Sequence, residues 1–135
     1  MEYVELIVPT RNRAEKLERM LKSVPETAAG KKINITIICD GDFRTAAKYA
    51  ADKNISDVVF LPKRIGSVAA RNLITPQAKD AVLMTTDDIE FYPGSIDAAI
   101  QSALRRDEQN GAIAMELRCG SGPEPAKALR MGARA

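Results

Sequence analysis

Four apolar runs punctuate the chain, and each stops abruptly at a polar or turn-forming residue. Tyr3 to Val8 stops at Pro9, Ile33 to Cys39 at Asp40, Asp57 to Leu61 at Pro62, and Ala81 to Thr85 just before Asp87 and Asp88. Short, nearly continuous apolar runs of this kind fit strands covered on both faces. The intervening segments change to a helical period. Leu17, Met20, Leu21 and Val24 share one helix face, and Pro25 ends that pattern. Phe43 to Ala51 is alanine-rich, and Gly66 to Gln77 spaces Val68, Ala69, Asn72 and Leu73 along a helix. Ser95 to Arg106 places Ile96, Ala99, Ile100, Ala103 and Leu104 on one face. Gly111 breaks the pattern, and Ala112 to Leu117 reads as a fifth strand. Strands alternating with helices predict βαβ units, a mostly parallel sheet and right-handed crossovers that put helices on both faces.

Local signals refine this outline. Asn12, followed three residues later by Glu15, has the form of a capping box opening the first helix. Asp40-Gly41 alone would suggest a hairpin, but the helical character of Phe43 to Ala51 argues against one. Pro62-Lys63-Arg64 is a basic loop, and Pro76 and Asp80 bracket the turn into the fourth strand. From Gly120 onward the chain is rich in Gly, Pro, Ala and Arg and shows no element.

Composition narrows the chemistry more than the fold. The 135 residues suffice for one domain with a real core, and a net charge of +2 argues against a dedicated nucleic-acid binder. There is no histidine, which excludes histidine acid–base catalysis, Ser-His-Asp and Cys-His systems, and His-ligated metals. Any metal would be held by oxygen. Cys39 ends an apolar run and reads as a small core residue, and Cys39 with Cys119 cannot form a structural zinc site alone. No signal peptide opens the sequence and no run approaches the roughly 18 apolar residues of a membrane span, so a cytoplasmic location is expected.

Three strand ends carry ligand-binding chemistry: Pro9-Thr10-Arg11-Asn12, Asp40, and Asp87-Asp88. In a doubly wound sheet they share one edge, where ligands bind. Adjacent carboxylates favour a hard divalent cation, which takes one or two of them and completes its shell with water and phosphate oxygens. Asp87 and Asp88 equally suit a turn, and Asp40 a helix cap. Lys63, Arg64 and Arg71 can meet a diphosphate or can be solvated charges. Arg71 stands out because its neighbours are small or apolar. Met20, Met84 and Met115 fall in apolar runs and read as core. Gly66 to Arg71 lacks the glycines and the Gly-Lys-Ser/Thr of a phosphate loop.

Four segments, in order, resemble the nucleotide-binding half of GT-A fold glycosyltransferases of the family 2 type. They are Ile7-Val8-Pro9-Thr10-Arg11-Asn12-Arg13, Ile37-Ile38-Cys39-Asp40-Gly41-Asp42, Gly66 through Ala70-Arg71-Asn72, and Thr85-Thr86-Asp87-Asp88 with Pro93 following. The resemblance covers about residues 3 to 117. It implies a Rossmann-like α/β domain at 1–117, with 118–135 a tail or the start of an acceptor-binding half. It implies a nucleoside-diphosphate sugar donor, most commonly UDP-linked, and Mn²⁺ or Mg²⁺. Pro9, Thr10, Arg11 and Asp40 would meet the nucleotide and Arg64 and Arg71 its diphosphate. Asp87 would hold ribose and Asp88 the metal, or the reverse. Arg11 departs from the aromatic residue usual at its position; its guanidinium plane can stack instead. Thr85-Thr86-Asp87-Asp88 replaces the frequent Asp-x-Asp. The family's acceptor site and catalytic base lie beyond the fifth strand, so no base can be named, and Asp97, Asp107 and Glu108 are poor candidates. Alternatives are a non-catalytic nucleotide or nucleotide-sugar binding module, a sugar-phosphate nucleotidyltransferase, and a purely structural α/β domain with no ligand. The glycine-free Pro9-Thr10-Arg11-Asn12 disfavours the second.

Overall fold

The computed structural model describes residues 3–73 and 81–104 in full, together with the backbone of Ile113–Met115 and Ala128–Arg130. Its elements are β1 (Tyr3–Thr10), α1 (Ala14–Lys22), β2 (Thr27–Ala28), β3 (Lys31–Asp40), α2 (Phe43–Ala50), β4 (Asp57–Leu61), α3 (Ser67–Asn72), β5 (Ala81–Met84), α4 (Ser95–Leu104), β6 (Ile113–Met115) and β7 (Ala128–Arg130). The main sheet runs β4-β3-β1-β5, all parallel. The two residues of β2 add an antiparallel pair at the start of β3. Chain order therefore moves outward from β1 through β3 to β4, then jumps back across to β5. That reversal lies between β1 and β5, where an open α/β sheet leaves a crevice at its carboxyl edge.

The two sheet faces are covered unequally. Alternate residues of β1 (Val4, Leu6, Val8) and β3 (Ile33, Ile35, Ile37, Cys39) pack with Leu17 and Met20 of α1, Ala46 and Tyr49 of α2, and Ile96 and Ile100 of α4. Val4, Leu6, Val8, Leu17, Met20, Ile37 and Cys39 are fully buried. The other face is a smaller cluster of Ile7, Ile38 and Ala70, edged by Val59 and Leu61. Only α3 covers it among the described helices, because the crossover from β4 to β5 runs opposite to the two before it. The burying residue of α3 is Ala70. Val68 and Leu73, predicted to lie along that helix, are mostly exposed.

Several expectations change. The capping box at Asn12 and Glu15 is absent: Arg13 is the N-cap of α1 and no side chain caps it. Asn12 instead adopts a left-handed backbone (φ 53°), a conformation asparagine tolerates better than most residues, and its N–H is used elsewhere. Of the predicted fifth strand, Ile113–Met115 lies among the described residues. Ile113–Met115 pairs antiparallel with Ala128–Arg130, inside the tail where no element was expected. Met20 is core, but Met84 is 49% exposed, because alternation on β5 points it to the thinly covered face. The predicted ends of the third and fourth helices (74–77 and 105–106), Asp107, Glu108 and Cys119 lie outside the described residues. No helix among the described residues is long and apolar enough to cross a membrane.

Truncation should cost most on the deep face. Leu17→Ala is expected to lose about 2–5 kcal/mol of unfolding free energy, while Val68→Ala, at an exposed site, should stay within about 0.5 kcal/mol. Urea denaturation of both variants measures the contrast.

Candidate functional site

The carboxyl edge of the sheet is built around aspartates that hydrogen-bond between loops. Asp42 sits at the end of the β3–α2 turn. Its Oδ1 accepts from the Thr45 N–H at 3.2 Å and caps α2, and its Oδ2 accepts from the Thr45 hydroxyl. The same Oδ2 takes the Asn12 N–H at 2.8 Å, tying the β1–α1 turn to the β3–α2 turn. Burial alone would raise the Asp42 carboxyl. The Thr45 hydroxyl, the N–H groups of Asn12 and Thr45 and the Arg11 charge outweigh it and hold the group below the usual carboxylate range.

Asp40, 4% exposed, ends β3 and faces the next loop. Its Oδ1 accepts from the Ile65 N–H and its Oδ2 from the Gly66 N–H, both at 2.8 Å. The carboxylate thus fixes the segment that opens α3. Between the two acids, Gly41 has φ 69°, and a Cβ there would stand 3.1 Å from the Arg64 backbone nitrogen. The close approach of the Arg64 loop to the β3 turn therefore needs a glycine.

The acidic pair completes the rim. Asp87 is buried, accepting from the Thr10 hydroxyl at 2.8 Å through Oδ2 and from Arg13 Nη1 at 3.2 Å through Oδ1. Asp88, its side chain 46% exposed, faces outward. Its Oδ1 accepts from the Thr86 hydroxyl at 2.8 Å, and its Oδ2 lies 3.8 Å from the same Arg13 nitrogen. The loop is anchored at both ends: the Thr85 N–H donates to the Ile7 carbonyl, and the Phe91 N–H to the Ser23 hydroxyl. Arg71 reaches from α3 to the Thr85 carbonyl at 3.0 Å, and its buried Nε has no partner among the described residues.

These groups enclose a cleft of about 410 Å³, within the range of small-ligand sites. Of the residues that the sequence nominated, Pro9, Thr10, Arg11, Asp40, Arg64, Arg71, Asp87 and Asp88 line it, and Asn12 is not in its wall. Nor is Lys63. Arg13, Gly66, Ser67 and Thr86 line it as well. Arg13 reads in the sequence as part of the helix start; its signal is its place in the segment that follows the first strand. Asp97 is a structural group, accepting from the Ala29 N–H and from Gln101. Cys39 lies buried beneath the edge with its thiol raised to about 12, by burial first and then by the Asp42 charge, so it stays protonated and inert.

The donor set bears on whether a divalent ion fits. Among the described residues no three His, Cys, Asp or Glu side chains converge to hold a metal. Asp87 is turned inward to Thr10 and Arg13, whereas Asp88 presents a carboxylate at the cleft. Mg²⁺ and Mn²⁺ are commonly held by one or two carboxylates with water and substrate phosphates. The residues fit such an ion through Asp88, provided that phosphate oxygens supply part of its shell.

The sequence profile described as Glycosyl transferase family 2 matches residues 5–121, which include every residue of the cleft. No curated protein matches the chain.

The depressed Asp42 carboxyl gives a pH signature. A carboxylate whose folded pKa is lowered stabilises the fold above its unfolded value near ~3.9 and loses that contribution as pH falls through the folded value. Asp42→Asn should be about 1–3 kcal/mol less stable than the parent near neutral pH. The gap should narrow at about pH 3. Denaturant titrations at the two pH values measure it.

Proposed function

The chain belongs to glycosyl transferase family 2, and from that premise we propose that its edge cleft binds a nucleoside-diphosphate sugar, UDP-linked, with Mn²⁺ or Mg²⁺, for transfer to an acceptor. One observation carries the reading. The carboxyl ends of β1, β3 and β5 and the start of α3 meet in one cleft, lined by four arginines (Arg11, Arg13, Arg64, Arg71) and three aspartates (Asp40, Asp87, Asp88). A nucleotide sugar needs that mixture: acceptors for base and ribose donors, and cations for two phosphates.

The roles divide by position. Pro9, Thr10 and Arg11 form the wall against which the base lies, with the Arg11 guanidinium stacking on it. Asp40 spends one bond per oxygen on the Ile65–Gly66 loop, and a carboxylate has about four acceptor sites, so it can also take a base N–H. Asp87, held by Thr10, accepts a ribose hydroxyl in the same way. Arg64 faces the diphosphate. The Nε of Arg71, without a partner among the described residues, is a buried donor whose desolvation an anionic oxygen would offset. Asp88 holds the metal, which when bound neutralises charge on the departing diphosphate. The arginines stabilise the same developing charge, and the anchored Thr85–Phe91 loop keeps both acids in place for it.

Asp88→Ala tests the assignment. Calorimetric titration of the parent with UDP should show tighter binding with Mn²⁺ than without, and the variant should lose that difference. Its unfolding free energy should stay within about 0.5–1 kcal/mol of the parent, because the side chain is half exposed. A variant that keeps the full Mn²⁺ enhancement contradicts the metal role. Mixing UDP-sugar, Mn²⁺ and acceptor candidates, then measuring released UDP, separates a transferase from a binding module, for which binding occurs without turnover.

A further inference from the structure

Arg13 bridges both acids of the pair from one nitrogen, at 3.2 Å to Asp87 Oδ1 and 3.8 Å to Asp88 Oδ2. Its guanidinium therefore sits against the one carboxylate oxygen of Asp88 that Thr86 leaves free. A divalent ion on Asp88 and this guanidinium would be like charges a few ångströms apart, and they repel. The Arg13 side chain is 51% exposed, so solvent can receive it when it leaves, and it lines the same cleft that would hold a diphosphate. Asp87 differs: it is buried and also bonded to Thr10, so it keeps a partner when Arg13 moves.

We propose that Arg13 is a built-in counterion of the acidic pair that excludes a divalent cation until a diphosphate arrives. The diphosphate supplies both the missing ligands for the ion and a new partner for the displaced guanidinium. Metal and nucleotide then load together. Arg13 acts as a positioning residue: it sets the order and coupling of loading. The inference rests on the donor-site reading above.

The coupling is measurable, because ligand linkage is reciprocal. MnCl₂ is titrated alone into the full chain and followed by loss of the electron paramagnetic resonance signal of free Mn²⁺. The parent should bind weakly, and Arg13→Gln roughly tenfold more tightly, because a repelling unit charge is gone. Arg13→Lys, which keeps the charge, should stay near the parent. With saturating UDP, the parent's Mn²⁺ affinity should rise much more than that of Arg13→Gln. If Arg13→Gln binds MnCl₂ alone no more tightly than the parent, while both bind it with UDP, the counterion role is overturned and the donor-site reading stands. If neither binds Mn²⁺ even with UDP, the metal assignment falls and the counterion proposal with it. Thermal melts of the variants establish that each is folded at the titration temperature.

Discussion

Burying a carboxylate is costly unless its oxygens are hydrogen-bonded, and the carboxyl edge of this sheet buries three. Asp40, Asp42 and Asp87 are each less than 6% exposed. Each meets the cost by accepting donors from a different segment. Asp42 binds the β1–α1 turn to the start of α2, Asp40 binds the end of β3 to the loop before α3, and Asp87 binds the end of β1 to the acidic loop. The turns cannot drift apart without leaving an acid unsatisfied. Asp40 and Asp87 line the cleft, so two of the acids that fasten the rim also face it.

That double use holds the cleft's acids in fixed positions. Carboxylates held by backbone and hydroxyl donors keep unused lone pairs on defined vectors, which is the preorganisation that a polar ligand requires. The basic side responds to the same demand. Arg71 spends one nitrogen on the Thr85 carbonyl and so joins α3 to the acidic loop, while its buried Nε has no partner among the described residues. The heavily packed face beneath α1, α2 and α4 supplies the rigidity. The lighter α3 face carries Gly66, Ser67 and Arg71 to the cleft.

The legibility of the chain followed interaction range. Long apolar runs such as Ile33 to Cys39 announced their strands because burial on both faces leaves a continuous signature. The alternation of strands and helices in the sequence is enough to put Pro9, Asp40 and Asp87 on one edge. Short elements carried no such mark. The two residues of β2 have no period to detect, and β6 and β7 are three residues each, so the pairing of Ile113–Met115 with Ala128–Arg130 leaves no pattern in the sequence. The spacing of Asn12 and Glu15 imitated a cap, but the Asn12 backbone finds its partner thirty residues away in Asp42. A local pattern cannot register that competition. Arg13 was hidden for the same reason, since its partners lie 74 and 75 residues along the chain, as the distance in sequence to Asp87 and Asp88 requires.

The central claim is that one edge cleft, fastened by its own acids, receives a nucleoside diphosphate. Amide hydrogen exchange with and without UDP and Mn²⁺ tests it most directly, because it reports where the chain is protected. The account predicts that protection concentrates at the ends of β1 and β3, at the Arg64–Ser67 segment and at Thr86–Asp88. Protection confined to other segments, or none at saturating UDP and Mn²⁺, would contradict it.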